Sequence, residues 1–399
     1  MTATADQGAR QTIRRIARDN AAARVVVTGC YATRCAADVA ALPNVVAVIG
    51  NDRKDSLVRD FFADEDLPTS VRFGGGDGPC GALEPGAAGR TAFTLRVQTG
   101  CEERCAYCII PSTRGAGRST PLAVVVREVE RAAAAGFREV ALTGVHLGSY
   151  GRDLEPRTSL VELLTALDCS AADVVFRVSS LEPMDCSEDV VGLMAESGGR
   201  FAPHFHLPLQ HASDRVLARM RRPYTLDYYR RLVDGIVEQM PAASIGSDLI
   251  VGFPGESPED FQANLDYLPG SPLTHLHVFP YSDRPGTAAT AMPGKVDGVI
   301  IRERGSALRA IGAELSRRFR AAQAGTVRPG LTLEDGSLVV TDNYLKVRIP
   351  PGLPRNQRVA VLLEEAEGSL RGTVVGAALP TTPSAGPGAP RELFGWRIR

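Results

Sequence analysis

Three thiols lie close together in the stretch Gly100-Cys101-Glu102-Glu103-Arg104-Cys105-Ala106-Tyr107-Cys108, at spacings of four and three residues. Iron–sulfur clusters are normally held by four thiolates, so three local thiolates leave one iron of a 4Fe–4S cluster with an open coordination position. An open iron is what a cluster needs to bind and reduce a ligand. Two alternatives are a zinc site that borrows His206 as its fourth ligand and a set of ordinary core cysteines, but zinc sites prefer paired two-residue spacings.

Strand-like and helix-like segments alternate around this loop, from residue 91 to residue 320. Strands are predicted at Phe93–Gln98, Glu139–Gly144, Val174–Ser180, His204–Pro208, Ile245–Val251 and His275–Pro280, with amphipathic helices at Leu122–Ala135, Leu160–Leu167, Leu226–Gln239 and Pro258–Tyr267. Six strand–helix repeats with right-handed crossovers predict a parallel α/β sheet, either a partial barrel or an open doubly wound sheet. Ligands bind at the carboxyl ends of the strands in both, and the cysteines follow the first strand at that end.

The blocks on either side differ in composition. Residues 1–73 contain a strand-like run from Arg24 to Cys30 and predict a small α/β domain, and the glycine-rich residues 74–90 predict a flexible linker. Residues 321–376 hold short alternating runs separated by turn residues, which predict a small all-β barrel. Residues 377–399 are rich in proline and glycine and predict a flexible tail.

Composition sets limits on the class of protein. The chain has 399 residues, a net charge of −1 and eight cysteines, and no apolar run of membrane-spanning length. The polar and basic residues after Met1 argue against a secretory signal. A compact cysteine trio without an export signal favours metal ligation in the cytoplasm over disulfides. Charge gives no global signal for nucleic acid, although arginines crowd 215–222 and 302–320, where a solvated helix face is the plain interpretation.

Beyond the cysteines, five further motifs carry a family resemblance. They are Cys108-Ile109-Ile110-Pro111-Ser112-Thr113-Arg114-Gly115-Ala116-Gly117-Arg118-Ser119, Leu142-Thr143-Gly144-Val145-His146-Leu147-Gly148-Ser149-Tyr150-Gly151, Ser179-Ser180-Leu181-Glu182-Pro183, Asp248-Leu249-Ile250-Val251-Gly252-Phe253-Pro254-Gly255-Glu256 and Phe279-Pro280-Tyr281-Ser282-Asp283-Arg284-Pro285-Gly286-Thr287. Together with the cysteines, they resemble the radical S-adenosylmethionine (SAM) methylthiotransferases over roughly residues 10–375. Val145 to Gly151 is most similar to the branch that acts on threonylcarbamoyladenosine in tRNA.

The resemblance implies a partial (βα)6 radical SAM barrel and a C-terminal barrel like a TRAM domain that grips tRNA. It implies reductive cleavage of SAM at the 4Fe–4S cluster held by Cys101, Cys105 and Cys108, hydrogen abstraction from C2 of a modified adenosine beside the anticodon, and methylthiolation there. The implied partners are tRNA and an electron donor such as flavodoxin or ferredoxin, and the chain is expected to be a monomer without a membrane anchor. The alternatives are methylthiolation of a ribosomal protein, a cluster-containing RNA-binding protein without this activity, and a zinc enzyme.

Single residues are assigned by analogy and by their position at strand ends. Tyr107, Gly144, Ser179 and Gln210 are candidates for the SAM pocket, although Ser179 and Gln210 are equally well explained as satisfied polar groups. Tyr344, Lys346 and Arg348 are candidates for stacking on RNA and contacting its phosphates, against a solvated strand face. His204 and His206 are expected on one strand face with His211 beyond it, and a metal role for them is the weaker interpretation. Asp248 is a candidate to bind a substrate hydroxyl or to cap its loop.

Family members carry three further cysteines for a second cluster in an N-terminal domain. Thr28-Gly29-Cys30-Tyr31-Ala32 matches the third of these, and the first two would precede Met1, so the resemblance implies an N-terminally truncated domain. The sequence therefore predicts one cluster in this chain, with Cys30 as the remaining ligand of the second and poor methylthiolation. Cys80, Cys169 and Cys186 show no ligand spacing and are expected to be ordinary thiols.

Overall fold

The computed structural model describes residues 3–54, 57, 69–72, 76–79, 83–86, 89–366 and 369–378. The N-terminal part contains α1 (Ala3–Asp19), β1 (Val25–Thr28), α2 (Cys30–Arg34), α3 (Ala36–Ala40), β2 (Val45–Ile49), β3 (Thr69–Arg72) and β4 (Gly76–Pro79). Strands β1 and β2 pair in parallel, whereas β3 and β4 form an antiparallel hairpin. Cys80 and residues 379–399 lie outside the described residues.

The central part alternates strands and helices as the sequence predicts. Its elements are β5 (Phe93–Arg96), β6 (Gln98–Thr99), α4 (Ile110–Arg114), β7 (Arg118–Ser119), α5 (Leu122–Ala134), β8 (Glu139–Thr143), α6 (Leu160–Asp168), β9 (Val175–Val178), α7 (Glu188–Glu196), β10 (His204–His206), α8 (Asp214–Arg219), α9 (Leu226–Gln239), β11 (Ser244–Val251), α10 (Pro258–Tyr267), β12 (His275–Pro280) and α11 (Gly298–Gln323). Strands β5, β8 and β9 form one parallel sheet and β10, β11 and β12 form another. A parallel bridge between Phe176 and Phe201 joins them, which gives the predicted six-stranded partial barrel.

Period-two alternation gives this barrel two different faces. Along β11, Ile245, Leu249 and Val251 are buried in the apolar core between the sheet and its helices. The intervening Ser244 and Asp248 point to the opposite, concave face, where they line a cavity. The same alternation puts histidines of β10 and β12 on the concave face, so polar side chains gather inside the barrel.

The C-terminal part is the predicted small barrel, formed by β13 (Val327–Leu333), β14 (Leu338–Thr341), β15 (Lys346–Arg348), β16 (Arg358–Ala366) and β17 (Ser369–Ala377). The strands close in the order β13-β14-β15-β17-β16 around a small apolar core. Buried Arg177 of β9 ties the two barrels together, because it ion-pairs with Glu139 and donates from Nη1 to the Asp342 carbonyl at 3.0 Å.

Two expected boundaries differ from the structure. The segment 74–90 is not uniformly irregular, since Gly76–Pro79 pairs with Thr69–Arg72 across the expected start of the linker. The expected boundary at residue 320 falls inside α11, which continues to Gln323 because nothing in its sequence breaks the helix before Gly325. None of the helices in the described ranges is long and apolar enough to cross a membrane.

Candidate functional site

The cysteine loop follows β6 at the carboxyl end of the barrel, and backbone contacts fix its path. Gly100 has a φ of +77°, and a Cβ at this position would lie 1.9 Å from the Ala116 carbonyl oxygen, so only glycine fits. The Cys101 N–H donates to the Gly115 carbonyl at 3.0 Å, and the Ala106 N–H donates to the Met220 carbonyl at 2.9 Å. Ala106 is buried against Met220 in a small apolar cluster. The loop is therefore anchored on both sides of Cys105.

The three sulfurs of the cysteine loop do not all lie within 4.8 Å of one another. A zinc ion holds its thiolates at about 2.3 Å and so brings their sulfurs within about 4 Å of one another. One group of three metal-binding side chains among the described residues has all its ligand atoms within 4.8 Å of one another. This group is His206, Asp248 and His277, and it contains no cysteine. A cubane cluster binds each thiolate to a different iron, which leaves the sulfurs further apart.

Arg222 supplies a positive charge to the cysteine loop. Its side chain is only 1% exposed, donates from Nη1 to the Sγ of Cys105 at 3.0 Å and forms an ion pair with Glu182 through Nη2. Burial raises the pKa of the Cys105 thiol, and the charge of Arg222 opposes that shift. Arg222 belongs to the arginine run 215–222, and its buried side chain does not fit a solvated helix face.

A second polar chain reaches Cys101. The Nδ1 of His146 lies 3.8 Å from the Sγ of Cys101, and its Nε2 lies 2.6 Å from Oδ2 of Asp185. Burial lowers the pKa of His146, but the contacts with Asp185 and Cys101 outweigh it and raise the value to about 9. Buried Gln98 fixes this segment, since its Oε1 accepts the N–H groups of Val145 and His146 at 3.0 and 2.9 Å. Sequence reasoning missed Gln98, His146 and Asp185, although His146 follows the strand-end Gly144 within a quoted motif.

The loop after β11 is also held by a buried carboxylate. Glu256 accepts the N–H groups of Gly252 and Phe253 through Oε2 and forms an ion pair with Arg304 at 2.9 Å through Oε1. His211, expected beyond the strand, is buried 3.6 Å from this carboxylate. These contacts position the loop at the end of the barrel that carries the cysteines.

A cavity of about 740 Å³ opens on the concave face, between the barrel, the end of α11 and the C-terminal barrel. Its wall includes His204, His206, His275 and His277 of β10 and β12, all four of which contribute to a ring cluster. Burial holds the pKa of His204 well below the usual histidine value and lowers that of His275 to about 4. Both rings are therefore neutral at pH 7, and His204 and His206 share one strand face as predicted.

Asp248 lies at the centre of this wall. Its Oδ1 is 2.9 Å from Nε2 of His206 and 3.2 Å from Nδ1 of His277. The Oγ of Ser180 is 2.6 Å from the other nitrogen of His206. Burial raises the pKa of Asp248, but the two histidines more than compensate, so the net pKa is lowered and the carboxylate is charged. His206, Asp248 and His277 together have the donor atoms of a divalent-cation site. The two nitrogen–oxygen distances are also those of hydrogen bonds from both imidazoles to one carboxylate oxygen.

Cys30 lies beside the segment that follows the cysteine loop. Asn51 donates from Nδ2 to the Sγ of Cys30 at 3.5 Å and to the carbonyl of Thr113 at 2.9 Å. Burial raises the pKa of Cys30, but Arg114 and Asn51 reverse the shift and leave a net lowered pKa. A thiol with a lowered pKa next to α4 suits a metal ligand.

The cavity includes some of the predicted site residues and not others. Ser179, Tyr344 and Lys346 line it, whereas Tyr107, Gly144, Gln210 and Arg348 are not part of its wall. The ring centroids of Tyr344 and His204 are 4.4 Å apart, and the guanidinium of Arg177 lies over the Tyr344 ring. The aromatic ring of Tyr344 is therefore already in contact with other protein groups. Gln210 is buried with a φ of +68°, and its backbone bridges to β11.

Comparison with known proteins agrees with this architecture. Residues 95–268 match the family model of the Radical SAM superfamily. Threonylcarbamoyladenosine tRNA methylthiotransferase MtaB of Bacillus subtilis is 32% identical over 367 residues, which cover 87% of this chain and 79% of the relative. Ribosomal protein uS12 methylthiotransferase RimO of Desulfosudis oleivorans is 33% identical over 78% of this chain and 71% of the relative.

Among solved structures, the radical SAM methyltransferase TsrM of Kitasatospora setae superimposes with a TM-score of 0.52 at 18% identity, covering 71% of this chain and 60% of that one. At this identity the likeness concerns the fold alone. The fold and the cysteine loop define an enzyme of the radical SAM class, with SAM and a 4Fe–4S cluster as its cofactors. The chain belongs to the radical SAM methylthiotransferase family and is most like its threonylcarbamoyladenosine tRNA branch.

Proposed function

We propose that this chain adds a methylthio group to C2 of N6-threonylcarbamoyladenosine next to the anticodon of tRNA. The observation that carries the proposal is the position of the cavity. It lies inside the barrel that bears the cysteines, and Tyr344 and Lys346 of the C-terminal barrel line it. An RNA held by the C-terminal barrel can therefore insert one base toward the cysteine loop. The proposed partners are tRNA and a flavodoxin or ferredoxin as electron donor, with the chain acting as a monomer in the cytoplasm.

In this proposal Cys101, Cys105 and Cys108 hold the radical cluster, which supplies the electron that cleaves SAM when it is bound. Arg222 offsets the charge that the thiolates concentrate in a buried place. Cys30 is the candidate ligand for a second cluster, which is supported by the hydrogen bonds of Asn51 to both Cys30 and Thr113 in the segment after the cysteine loop.

The remaining candidates contribute binding. Tyr107 packs on the apolar cluster of Ala106 and Met220. Gly144 and Ser179 directly follow β8 and β9, and Gln210 bridges to β11; we assign these four to the SAM pocket. Lys346 and Arg348 share the exposed face of β15, where alternate residues point outward, and are assigned to RNA. Tyr344 is assigned to the mouth of the cavity.

Deuterium transfer tests the substrate directly. The anaerobically reconstituted chain is given SAM, dithionite and an anticodon stem-loop RNA labelled with deuterium at C2 of threonylcarbamoyladenosine. The proposal predicts deuterium in the 5′-deoxyadenosine product, detected by mass spectrometry. Parallel reactions use isopentenyladenosine RNA deuterated at C2 and ribosomal protein uS12 deuterated in its side chains. Transfer from either of these, with none from threonylcarbamoyladenosine, would contradict the proposal.

A further inference from the structure

The cavity on the concave face has two chemically different ends. Its inner wall presents a carboxylate and imidazoles from β10, β11 and β12, whereas its mouth carries cations from α11 and β15. A volume of about 740 Å³ is in the range of small-molecule sites. The five further motifs that carry the family resemblance do not explain why these particular polar groups face one another.

The inner wall offers hydrogen-bond acceptors. Oδ1 of Asp248 already accepts hydrogen bonds from His206 and His277, while no described residue hydrogen-bonds to its Oδ2. His277 points Nδ1 at this carboxylate, so in its neutral form Nε2 carries a free lone pair. The His277 side chain is 56% exposed, which leaves this nitrogen open to the cavity. A ligand that donates N–H or O–H groups would satisfy both atoms.

The mouth offers two cations that have no partner among the described residues. Arg320 of α11 and Lys346 of β15 are exposed and line the cavity, and neither forms an ion pair or hydrogen bond with any residue in the described ranges. By contrast, Arg177 on the same wall is committed to Glu139 and to carbonyls of the C-terminal barrel. Arg320 and Lys346 are therefore available to bind an anionic group of a ligand.

We propose that this cavity is the specificity pocket for the N6-threonylcarbamoyl group. The carboxylate of the group binds Arg320 and Lys346, and its hydroxyl and amide N–H groups donate to Asp248 and His277. The inference rests on the proposed function, since it names the part of the enzyme that distinguishes this nucleoside from others. Phe279, which is 47% exposed and lines the same cavity, is placed to pack against the purine.

The pocket also explains how an apolar substituent is rejected. An isopentenyl group has neither donors nor charge, so binding it would desolvate Asp248 without a replacement partner. Sites built to hydrogen-bond a polar substrate group discriminate strongly against an analogue that lacks it, because buried polar groups are left unpaired. Selectivity is therefore expected to reside in Asp248, His277, Arg320 and Lys346 more than in the general RNA contacts.

The test compares two RNAs and two double variants. Dissociation constants are measured by fluorescence anisotropy on the cluster-reconstituted chain, with stem-loops that carry threonylcarbamoyladenosine or plain adenosine at one position. The variant is Arg320→Gln with Lys346→Gln. The matched control is Arg309→Gln with Arg348→Gln, which removes the same charge from exposed positions of α11 and β15 outside the cavity wall.

We expect the wild type to bind the modified RNA at least about tenfold more tightly, as one charge-assisted contact implies. The cavity variant loses this preference, whereas the control weakens both RNAs equally and keeps the ratio. A wild type without preference, or a cavity variant that keeps it, would overturn the inference. The deuterium-transfer experiment distinguishes a failure of this inference from a failure of the proposed function. If deuterium is transferred from threonylcarbamoyladenosine but the wild type shows no binding preference, only the specificity pocket is refuted.

Discussion

The Nη1 of Arg222 lies 3.0 Å from the Sγ of Cys105, and the opposite edge of the same guanidinium is ion-paired with Glu182. The guanidinium also lies over the ring of Tyr224, with 5.0 Å to the ring centroid. A buried cation is thus held between a carboxylate and the thiol of Cys105. Ser180, two residues before Glu182, lines the cavity on the concave face, so this contact connects the cysteine loop to a segment of the cavity wall.

Glu182→Gln should destabilise the fold and loosen the cysteine loop. The substitution leaves the 1% exposed Arg222 side chain without its carboxylate, and an uncompensated buried charge costs about 3 kcal/mol. Urea unfolding of the cluster-free chain measures the loss. Glu188→Gln, at the exposed start of α7, is the control and should stay within about 0.5 kcal/mol. Equal stability of the two variants would show that Arg222 needs no counter-charge.

Gly100→Ala should abolish cluster loading while most of the fold persists. The new Cβ would meet the Ala116 carbonyl oxygen at 1.9 Å, so the backbone that orients Cys101 has to move. Iron content after anaerobic reconstitution is the measurement. Gly136→Ala introduces the same strain of a positive φ, +92°, at a place with no atom within 4 Å, and should load iron normally. If both variants load fully, the close approach at Gly100 does not matter.

Arg177→Gln should weaken the attachment of the C-terminal barrel. The buried Arg177–Glu139 pair is lost together with donation to the carbonyls of Thr341 and Asp342, at a cost of about 3 to 5 kcal/mol. Thermal unfolding and limited proteolysis near residue 324 measure this weakened attachment. Arg138→Gln breaks an exposed pair with Asp173 and should cost less than about 1 kcal/mol. Similar losses in both variants would argue against a special role for the buried pair.

Acid should destabilise the chain partly through His275. Its pKa is lowered to about 4 by burial and by the neighbouring His277 and His206, whereas an unfolded histidine titrates near 6.5. Between these values the unfolded chain binds the extra proton, so stability is complete above about pH 6.5 and falls as the pH drops toward 4.

His275→Gln removes this titration. The variant should lose about 2 kcal/mol less than the wild type between pH 7 and pH 4.5, as measured by denaturant unfolding across that range. Because the pKa of buried His204 is also lowered, the free energy of unfolding of the variant still decreases somewhat as the pH falls. Parallel stability curves for the two proteins would exclude His275 as a contributor.

Local signals made much of the fold predictable. Helices α9 (Leu226–Gln239) and α10 (Pro258–Tyr267) have the predicted ends, because Thr225 and Ser257 cap them through side-chain hydrogen bonds and Pro258 fits the first helical position. Period-two alternation also predicted that His204 and His206 share a face. In contrast, the 26-residue α11 was seen only as an arginine-rich stretch, since its apolar positions are interleaved with charge.

The site was predictable only where its residues are close in sequence. The cysteine trio is local, whereas Arg222 reaches Cys105 across 117 positions and Asp185 reaches His146 across 39. Asp248 and His277 meet because β11 and β12 are adjacent in register, which pairs these two residues directly. Such contacts depend on how the barrel closes, and no single segment carries them.

The most direct test of the account is 5′-deoxyadenosine formation by the anaerobically reconstituted chain with SAM and dithionite. The wild type should produce it, and the Cys101→Ala, Cys105→Ala and Cys108→Ala variants should each produce none above background. Cys169→Ala, an exposed thiol outside the loop, should match the wild type. Absence of product from a wild type that carries a full 4Fe–4S cluster, or undiminished product from any loop variant, would contradict the assignment of these three cysteines to a radical SAM cluster.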